Sequence, residues 1–447
     1  MKTVPTLQTR REFLRTSALG GALASTVPAF LCHTFSALHA AAAESATQTA
    51  TGKDAPILVV LQMAGGNDGL NTVVPYADDH YFQARKTIGL SAKNILKIND
   101  QVGLHPSLTG FKSLYDAGQL SLIQGSGYPN PNRSHFRSTE IWQTASDAAK
   151  VESYGWLGRY FDNACGGADP TVGVTIGRQL PQAFNARTPT GICLDNPQNY
   201  RFMMGARHPA DGEMNAEEKT FHELNQASTE EGGGADNSGA VIGAIGGPVA
   251  SHGSALDFLR RTSLDAQVSS DKVLAITKRA QNLAEYPGSA LASSLKLVAK
   301  LIGGGLPTRV YYVSQGGYDT HVNQINQHAR LLQDLGDSIK AFVADLTAQG
   351  NLDRVLLMTF SEFGRRVSEN ANGGTDHGAA APMFVIGKKI KAGLRGRYPS
   401  LAPEDLFEGD LRFNVDFRSV YSAVLEEWLQ TKSEPILGGK FTPLPLV

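Results

Sequence analysis

The sequence predicts an α/β fold in which a mostly parallel central sheet is covered by helices on both faces. Short continuous apolar runs are typical of buried parallel strands, and they occur at 57–62, 120–124, 172–176, 309–313, 355–360 and 382–387. Segments with apolar residues near helical spacing lie between or after these runs, at 135–145, 290–301, 322–349 and 415–430. Strands that alternate with helices indicate a layered sheet with both faces buried.

Composition and charge are those of an ordinary soluble globular protein. The chain has 447 residues, 41% hydrophobic residues and a formal net charge of −1. This length is enough for one large domain or two ordinary ones. Because there is no basic excess to neutralise phosphates, nucleic acid is not a predicted partner.

The N-terminus resembles a twin-arginine export signal. Arg10 and Arg11 precede a weakly apolar stretch that reaches Cys32, and an alanine-rich segment follows at 37–43. We therefore expect a signal peptide at 1–43, a polar linker at 44–54, the twin-arginine translocase as export partner, and a periplasmic or secreted protein. The apolar stretch is short and interrupted, which argues against a stable membrane span after cleavage.

The mature chain is interpreted as one domain, 55–447, with an insertion or cap at 195–268. The apolar pattern weakens in that region, and residues 230–239 form a Gly-rich polar run. Two cysteines remain, Cys165 and Cys193. An oxidising compartment permits a disulfide between them, and two isolated thiols are the open alternative.

Polar residues follow the first two predicted strands. Asn67 and Asp68 lie in a glycine-rich turn, where an acid suits a metal ion and where Asn-Asp-Gly also suits a simple turn. Ser134 lies at a predicted helix start. It is either an N-cap or a nucleophile, with Arg133 and Arg137 holding an anion.

Acids and histidines follow the later strands. Asp319 and His321 share a glycine-rich turn, Glu362 follows the run at 355–360, and Asp376 and His377 precede the run at 382–387. The carboxyl ends of parallel strands meet at one edge of a sheet, so these side chains are expected to lie together. The combination predicts a hydrolytic site with two metal ions.

Several long motifs resemble domain-of-unknown-function family 1501, a twin-arginine-exported group related to the sulfatase and alkaline phosphatase superfamily. They are GGNDGLNTVVPY, GLHPSL, GYPNPNRSHF, GWLGRY, GGYDTH, FSEFGRR and GTDHGAAAP. The resemblance implies an alkaline phosphatase-like three-layer sandwich. It also implies that Asp68 and Glu362 bind one metal beside the nucleophile Ser134, and that Asp319, His321 and His377 bind the other.

The sequence departs from the superfamily pattern at three places. Phe363 stands where a ligating histidine is usual, so Asp376 or His135 is a possible additional ligand. Asn323 stands where a further histidine is expected. The segment around Ser134 lacks the sulfatase-type Cys/Ser-x-Pro-x-Arg motif, which argues against an ordinary sulfatase.

The resulting hypothesis is an exported metal-dependent hydrolase of phosphate or sulfate esters. A serine or a metal-bound water would be the nucleophile, and one or two ions of Zn, Mn, Mg or Ca the cofactor. The substrate would be a small-molecule or glycan ester. The alternative is a non-catalytic protein on the same fold that binds metal or anionic glycan.

Overall fold

The computed structural model describes residues 55–166, 168–188, 190–195 and 269–447. The predicted signal peptide, the linker and residues 196–268 of the predicted insertion lie outside the described residues. The strands are β1 Ile57–Met63, β2 Val73–Val74, β3 Leu96–Lys97, β4 Gly103–Leu104, β5 Leu120–Gly127, β6 Gly173–Ile176, β7 Ile192–Leu194, β8 Val310–Gln315, β9 Val355–Phe360, β10 Ala381–Ile386, β11 Gly393–Arg395 and β12 Val415–Asp416.

The helices of the described residues lie mostly between these strands. They are α1 Gly69–Thr72, α2 Asp79–Ala84, α3 Thr109–Asp116, α4 His135–Thr144, α5 Trp156–Ala164, α6 Ala290–Gly303, α7 Gln324–Ala348, α8 Phe417–Ala423 and α9 Glu434–Leu437. Residues 269–279 are also helical. Within the described ranges, no helix is both long and apolar enough to cross a bilayer.

The central sheet contains nine strands in the order β11-β5-β10-β9-β1-β8-β6-β7, with β12 paired to β5. Eight of them run in the same direction, so the predicted mostly parallel sheet is confirmed. The exception is β10, which is antiparallel to both β5 and β9. Parallel neighbours need a crossover connection, usually through a helix. The chain between β9 and β10 has no helix and enters the sheet again at the edge where it left, so β10 runs antiparallel to β9.

Side chains of β1 alternate between two cores, one on each face of the sheet. Ile57, Val59 and Leu61 pack on the face covered by α3, α6 and α7. Leu58 and Val60 pack on the opposite face with α4, α5 and α8. The period of two along a strand directs successive side chains to opposite faces, so a strand between two helical layers is apolar throughout. The predicted three-layer arrangement is confirmed.

Two predicted helices begin later than the sequence pattern indicated. Asn323 adopts a left-handed conformation with φ of 48°, so α7 begins at Gln324 and not at 322. The helix predicted from 415 begins at Phe417, because Val415–Asp416 pairs with β5 and the Asp416 carboxylate caps the N–H of Arg418. Cys165 and Cys193 are both free thiols.

Candidate metal centre

One edge of the sheet gathers the loops that carry the predicted site. The carboxyl ends of β1, β8 and β9 lie there, because the three strands are parallel neighbours. The antiparallel β10 begins at this edge, so His377 precedes the strand and still reaches the same place. The N-terminus of α4 completes the arrangement through His135, which contacts the loop after β9.

Three imidazoles and one carboxylate meet at this edge. Nε2 of His321 lies 3.0 Å from Nε2 of His377. Both atoms lie close to Oδ1 of Asp319, at 2.9 Å and 3.1 Å respectively. Nε2 of His135 lies 3.4 Å from Oδ2 of the same carboxylate. These four side chains, His135, Asp319, His321 and His377, are hereafter the metal centre.

The Nδ1 atom of each imidazole contacts its own acceptor outside the centre. His135 contacts Oε1 of Glu362 at 2.9 Å, His321 contacts Oδ1 of Asp376 at 3.1 Å, and His377 contacts the carbonyl oxygen of Arg133 at 2.8 Å. A carbonyl or an ionised carboxylate can only accept, so each Nδ1 donates in these contacts, and in the neutral tautomer with this proton the lone pair of Nε2 faces the centre. Metal-binding histidines are typically held in this way.

The donor set fits a divalent cation. Nε2 of His135 is buried and has no hydrogen-bond partner among the described residues. Two facing lone pairs repel one another unless a cation lies between them. Ligand atoms around a tetrahedral zinc ion are about 3.3 Å apart, close to the observed separations of 2.9 to 3.4 Å. Among the described residues, the potential ligand atoms of His135, Asp319 and His377 all lie within 4.8 Å of one another, and His321, which is outside this group, contacts Asp319 and His377.

Local electrostatics keep the centre anionic. Burial acts to raise the pKa of Asp319, but the hydrogen bond and the positive charge of Arg365 are the main opposing causes, and the pKa is lowered to about 2. Burial lowers the pKa of His377, which favours the neutral imidazole. The carboxylates of Asp319, Glu362 and Asp376 together with the Arg365 guanidinium carry a net charge of −2, which one divalent ion balances.

Arg365, which the sequence analysis did not identify, holds the loops of the site together. Its buried guanidinium donates to Oδ1 of Asp319 at 2.6 Å, and to the carbonyls of Gly66 at 2.7 Å and Thr375 at 2.9 Å. One side chain therefore joins the loops after β1, β8 and β9. The available signal was its position in the same FSEFGRR motif as Glu362.

Glycines permit the close approach of these loops. Gly65 has φ of +118°, and a Cβ there would lie 2.5 Å from the backbone nitrogen of Asp319. A Cβ on Gly378 would lie 2.5 Å from the carbonyl carbon of Arg365. Arg365 and His377 form an antiparallel backbone bridge at this point. Only glycine allows such contacts without displacing the ligand loops.

Glu362 and Asp376 contact two of the imidazoles at Nδ1, on the side away from the centre. Glu362 is buried, and its Oε1 accepts from the backbone N–H of Gly65 at 2.8 Å as well as from His135. Glu362, predicted as a direct ligand, therefore contacts Nδ1 of His135, and His135, predicted as an additional ligand, has its Nε2 in the centre. Asp376 has the corresponding contact with His321. The direct-ligand role of Glu362 stays a prediction.

Asp68 and Asn67 belong to a buried polar network below this edge. The Asp68 carboxylate is fully buried, and its Oδ2 lies 2.5 Å from Arg85 and also accepts from Gln324. Burial acts to raise its pKa, but Arg85 outweighs burial and the pKa is lowered. Asn67 accepts from His328 at 2.9 Å. A cation would have to displace Arg85 to reach Asp68, whose ligand role stays a prediction.

The predicted nucleophile lies beside the centre, whereas the arginines near it are already paired. Ser134 is exposed at the N-cap of α4, and its side chain makes no capping hydrogen bond. Arg133 pairs with Asp410 at 2.6 Å. Arg137 pairs with Glu140 at 2.7 Å and donates to backbone carbonyls. The predicted anion-binding roles of the two arginines stay predictions.

Solved structures similar to this chain come from several bacteria. A lipoteichoic acid synthase, LtaP, from Listeria monocytogenes is 8% identical, with 88% of this chain and 76% of that chain covered and a TM-score of 0.37. The PsFucS1 sulfatase from Pseudoalteromonas sp. is 10% identical, with 82% and 69% covered and a TM-score of 0.32. Alkaline phosphatase from the Antarctic bacterium TAB5 is 12% identical, with 74% and 92% covered and a TM-score of 0.30.

TM-scores this low carry no functional argument. Among curated protein sequences, no relative matches this chain. A family model does match, over residues 55–432, and its description is "Protein of unknown function (DUF1501)". The match covers most of the chain, and the chain therefore belongs to family DUF1501.

Proposed function

We propose that this protein is an exported metal-dependent hydrolase of phosphate or sulfate esters. The observation that carries the proposal is the convergence of three imidazole Nε2 atoms on the Asp319 carboxylate, each imidazole held at Nδ1 by a separate acceptor. A structural role alone does not require three imidazoles directed at one carboxylate. The arrangement supports a cation site that is open to solvent, since the Asp319 side chain is 46% exposed.

The donor set favours zinc among the four candidate ions. Imidazole nitrogen and carboxylate oxygen suit zinc, whereas magnesium and calcium prefer oxygen ligands throughout. Bound there, the ion would act as a Lewis acid that polarises the ester and neutralises charge on it. His135, Asp319, His321 and His377 would hold the ion. Glu362 and Asp376 would keep the proton of two imidazoles on Nδ1.

The position of Ser134 supports its role as the nucleophile, with water as the other candidate. Its two chain neighbours both contribute to the site, because the carbonyl of Arg133 holds His377 and the ring of His135 belongs to the centre. The hydroxyl is exposed and is not used to cap α4. An exposed serine needs an activating group to become a nucleophile, and the adjacent cation site could provide it.

The pairing of Arg133 and Arg137 favours the second candidate function, a non-catalytic protein that binds metal or anionic glycan. Enzymes that act on phosphate or sulfate esters usually present free cationic groups to the anion. Here the guanidinium of Arg133 contacts Asp410 and Glu408, and that of Arg137 contacts Glu140. A non-catalytic binding protein of this kind would retain the metal and would not hydrolyse esters.

Elemental analysis of the purified mature protein is the first test, with about one zinc per chain expected. Release of nitrophenol from para-nitrophenyl phosphate and sulfate then measures hydrolysis. Ser134→Ala should abolish the activity and retain the metal, whereas His321→Ala should lose both. Ser91→Ala is the matched control, since Ser91 is also exposed.

Inactivity on esters or absence of metal would contradict the hydrolase, whereas unchanged activity in Ser134→Ala would change only the nucleophile. A zinc-loaded protein that is inactive on a broad panel of phosphate and sulfate esters would favour the binding function. Activity unchanged in Ser134→Ala would assign the attack to water. Absence of metal after purification and after incubation with zinc would remove the basis of both functions.

A further inference from the structure

A polar cavity lies at the opposite end of the helix that carries His135. It has a volume of about 120 Å³ and lies where α4 ends, beside α5 and α9. Its lining includes Thr144, Ser146, Arg159, Arg418, Leu437 and Phe441. The helix α4 has ten residues, so the cavity is about 14 Å from the metal centre along the helix axis.

Arg159 brings a positive charge to this cavity without a paired carboxylate. Its guanidinium donates to the backbone carbonyls of Thr144, Tyr154 and Ile436, the second at 2.7 Å. A guanidinium has five N–H donors, so these bonds leave two unused. Among the described residues Arg159 forms no ion pair. Burial lowers its pKa, an effect that Glu152 opposes only in part.

Ser146 provides an unused hydrogen-bonding group in the same cavity. The residue is only 6% exposed. Its Oγ is buried and has no hydrogen-bond partner in the described part of the chain. A buried hydroxyl without a partner costs free energy unless a ligand or an ordered molecule satisfies it. The preceding residue, Ala145, has φ of 55°, which turns the chain at the end of α4 and brings Ser146 to the cavity.

The other charged groups around the cavity pair with one another. Arg418 contacts the carboxylates of Asp147 and Asp416 and lies 4.5 Å from the ring centre of Phe441. Lys150 pairs with Glu152. Arg418 contacts two carboxylates, so the charges of these groups and of Arg159 sum to zero, and Arg159 is the lining cation that forms no ion pair among the described residues.

From these observations we infer that the cavity binds a small oxyanion through the Arg159 guanidinium and the Ser146 hydroxyl. The two unused N–H donors suit two oxygen atoms of one anion, and the Ser146 hydroxyl can donate to an oxygen as well. Sulfate, phosphate and a simple carboxylate share this chemistry. The volume admits an anion of this size and excludes a polysaccharide chain.

Isothermal titration of the mature protein tests the site, with sodium sulfate, phosphate and acetate as probes at constant ionic strength set with sodium chloride. One saturable site is expected for at least one probe. Ser146→Ala should weaken it about tenfold, the effect of one hydrogen bond to a charged group. Arg159→Lys should weaken it further, because lysine lacks the planar pair of donors. Ser91→Ala is the matched control.

The metal centre could also attract anions, so the titration is repeated with His321→Ala. Binding that persists there and weakens in Ser146→Ala supports the cavity. Binding that is lost in His321→Ala and unchanged in Ser146→Ala assigns the anion to the metal centre and overturns the proposal. Absence of saturable binding by all three probes up to roughly 10 mM also overturns it. If Arg159→Lys does not fold, the proposal is still tested by Ser146→Ala.

Discussion

Replacement of Glu362 by glutamine separates a direct metal ligand from a residue that orients one. The structure places Oε1 of Glu362 2.9 Å from Nδ1 of His135 and 2.8 Å from the N–H of Gly65. Glutamine keeps an acceptor oxygen at this position and removes the charge. Its amide would face the Ser361 hydroxyl oxygen, which lies 3.5 Å from Oε2. The fold should therefore persist.

The expected loss of zinc affinity follows from the position of Glu362, which contacts His135 from outside the centre. Loss of an outer partner of a metal-binding histidine typically weakens metal affinity by about 10- to 100-fold, or about 1.4 to 2.8 kcal/mol. Zinc affinity is measured by competition with a chromophoric chelator at fixed pH. Asp376→Asn is the matched variant, because Asp376 has the same relation to His321. His135→Ala, which removes a donor of the centre, should cause a larger loss.

Two results would refute this reasoning. If Glu362→Gln abolishes zinc binding as fully as His135→Ala does, Glu362 is a direct ligand. The assignment of Glu362 as a residue that only orients His135 is then wrong. If zinc affinity is unchanged in both Glu362→Gln and Asp376→Asn, the imidazoles do not depend on these carboxylates and the centre is not held as described.

Three further predictions concern other parts of the chain. Asp68→Asn should destabilise the fold by about 3 to 5 kcal/mol in urea unfolding, because it leaves Arg85 buried without its partner, and zinc content should be unchanged. Burial chiefly lowers the pKa of His328 to about 3, so the folded protein holds it neutral while the unfolded chain takes up a proton below about pH 6.5. Stability of the metal-free protein should therefore fall from about pH 6.5 towards pH 3, by up to about 1.4 kcal/mol per pH unit from this residue. Replacement of Arg10 and Arg11 by lysine should block export, measured as loss of the protein from the periplasm or medium.

Each of these predictions has a result that contradicts it. Loss of zinc in Asp68→Asn would restore Asp68 as a ligand. The pH dependence is compared with that of His328→Gln, and an unchanged slope in this variant would show that His328 is not the group responsible. Normal export of the lysine variant would reject the twin-arginine signal.

The sequence predicted the fold class and the place of the site because both depend on local patterns. The run at 355–360 is a strand with the same bounds in the structure. The position of polar residues after strand ends predicted one shared edge, and His135, Asp319, His321 and His377 do meet there. The antiparallel direction of β10 was not predicted, because strand direction depends on the connection and not on the composition of the strand.

The tertiary structure decided which charged groups pair. The Asp68 carboxylate contacts Arg85 and Gln324, and the second partner is 256 residues away in the chain. Glu362 contacts the N–H of Gly65 across 297 residues. No local pattern specifies such contacts, since they exist only after the strands have assembled into a sheet.

By itself, the sequence determined that acids and histidines lie at one edge of an α/β sheet. Only the tertiary structure decided which of them direct lone pairs to a common point and which support those that do. The physical reason is that hydrophobic periodicity fixes where the chain turns, whereas a ligand role depends on the atoms that each side chain meets from distant segments.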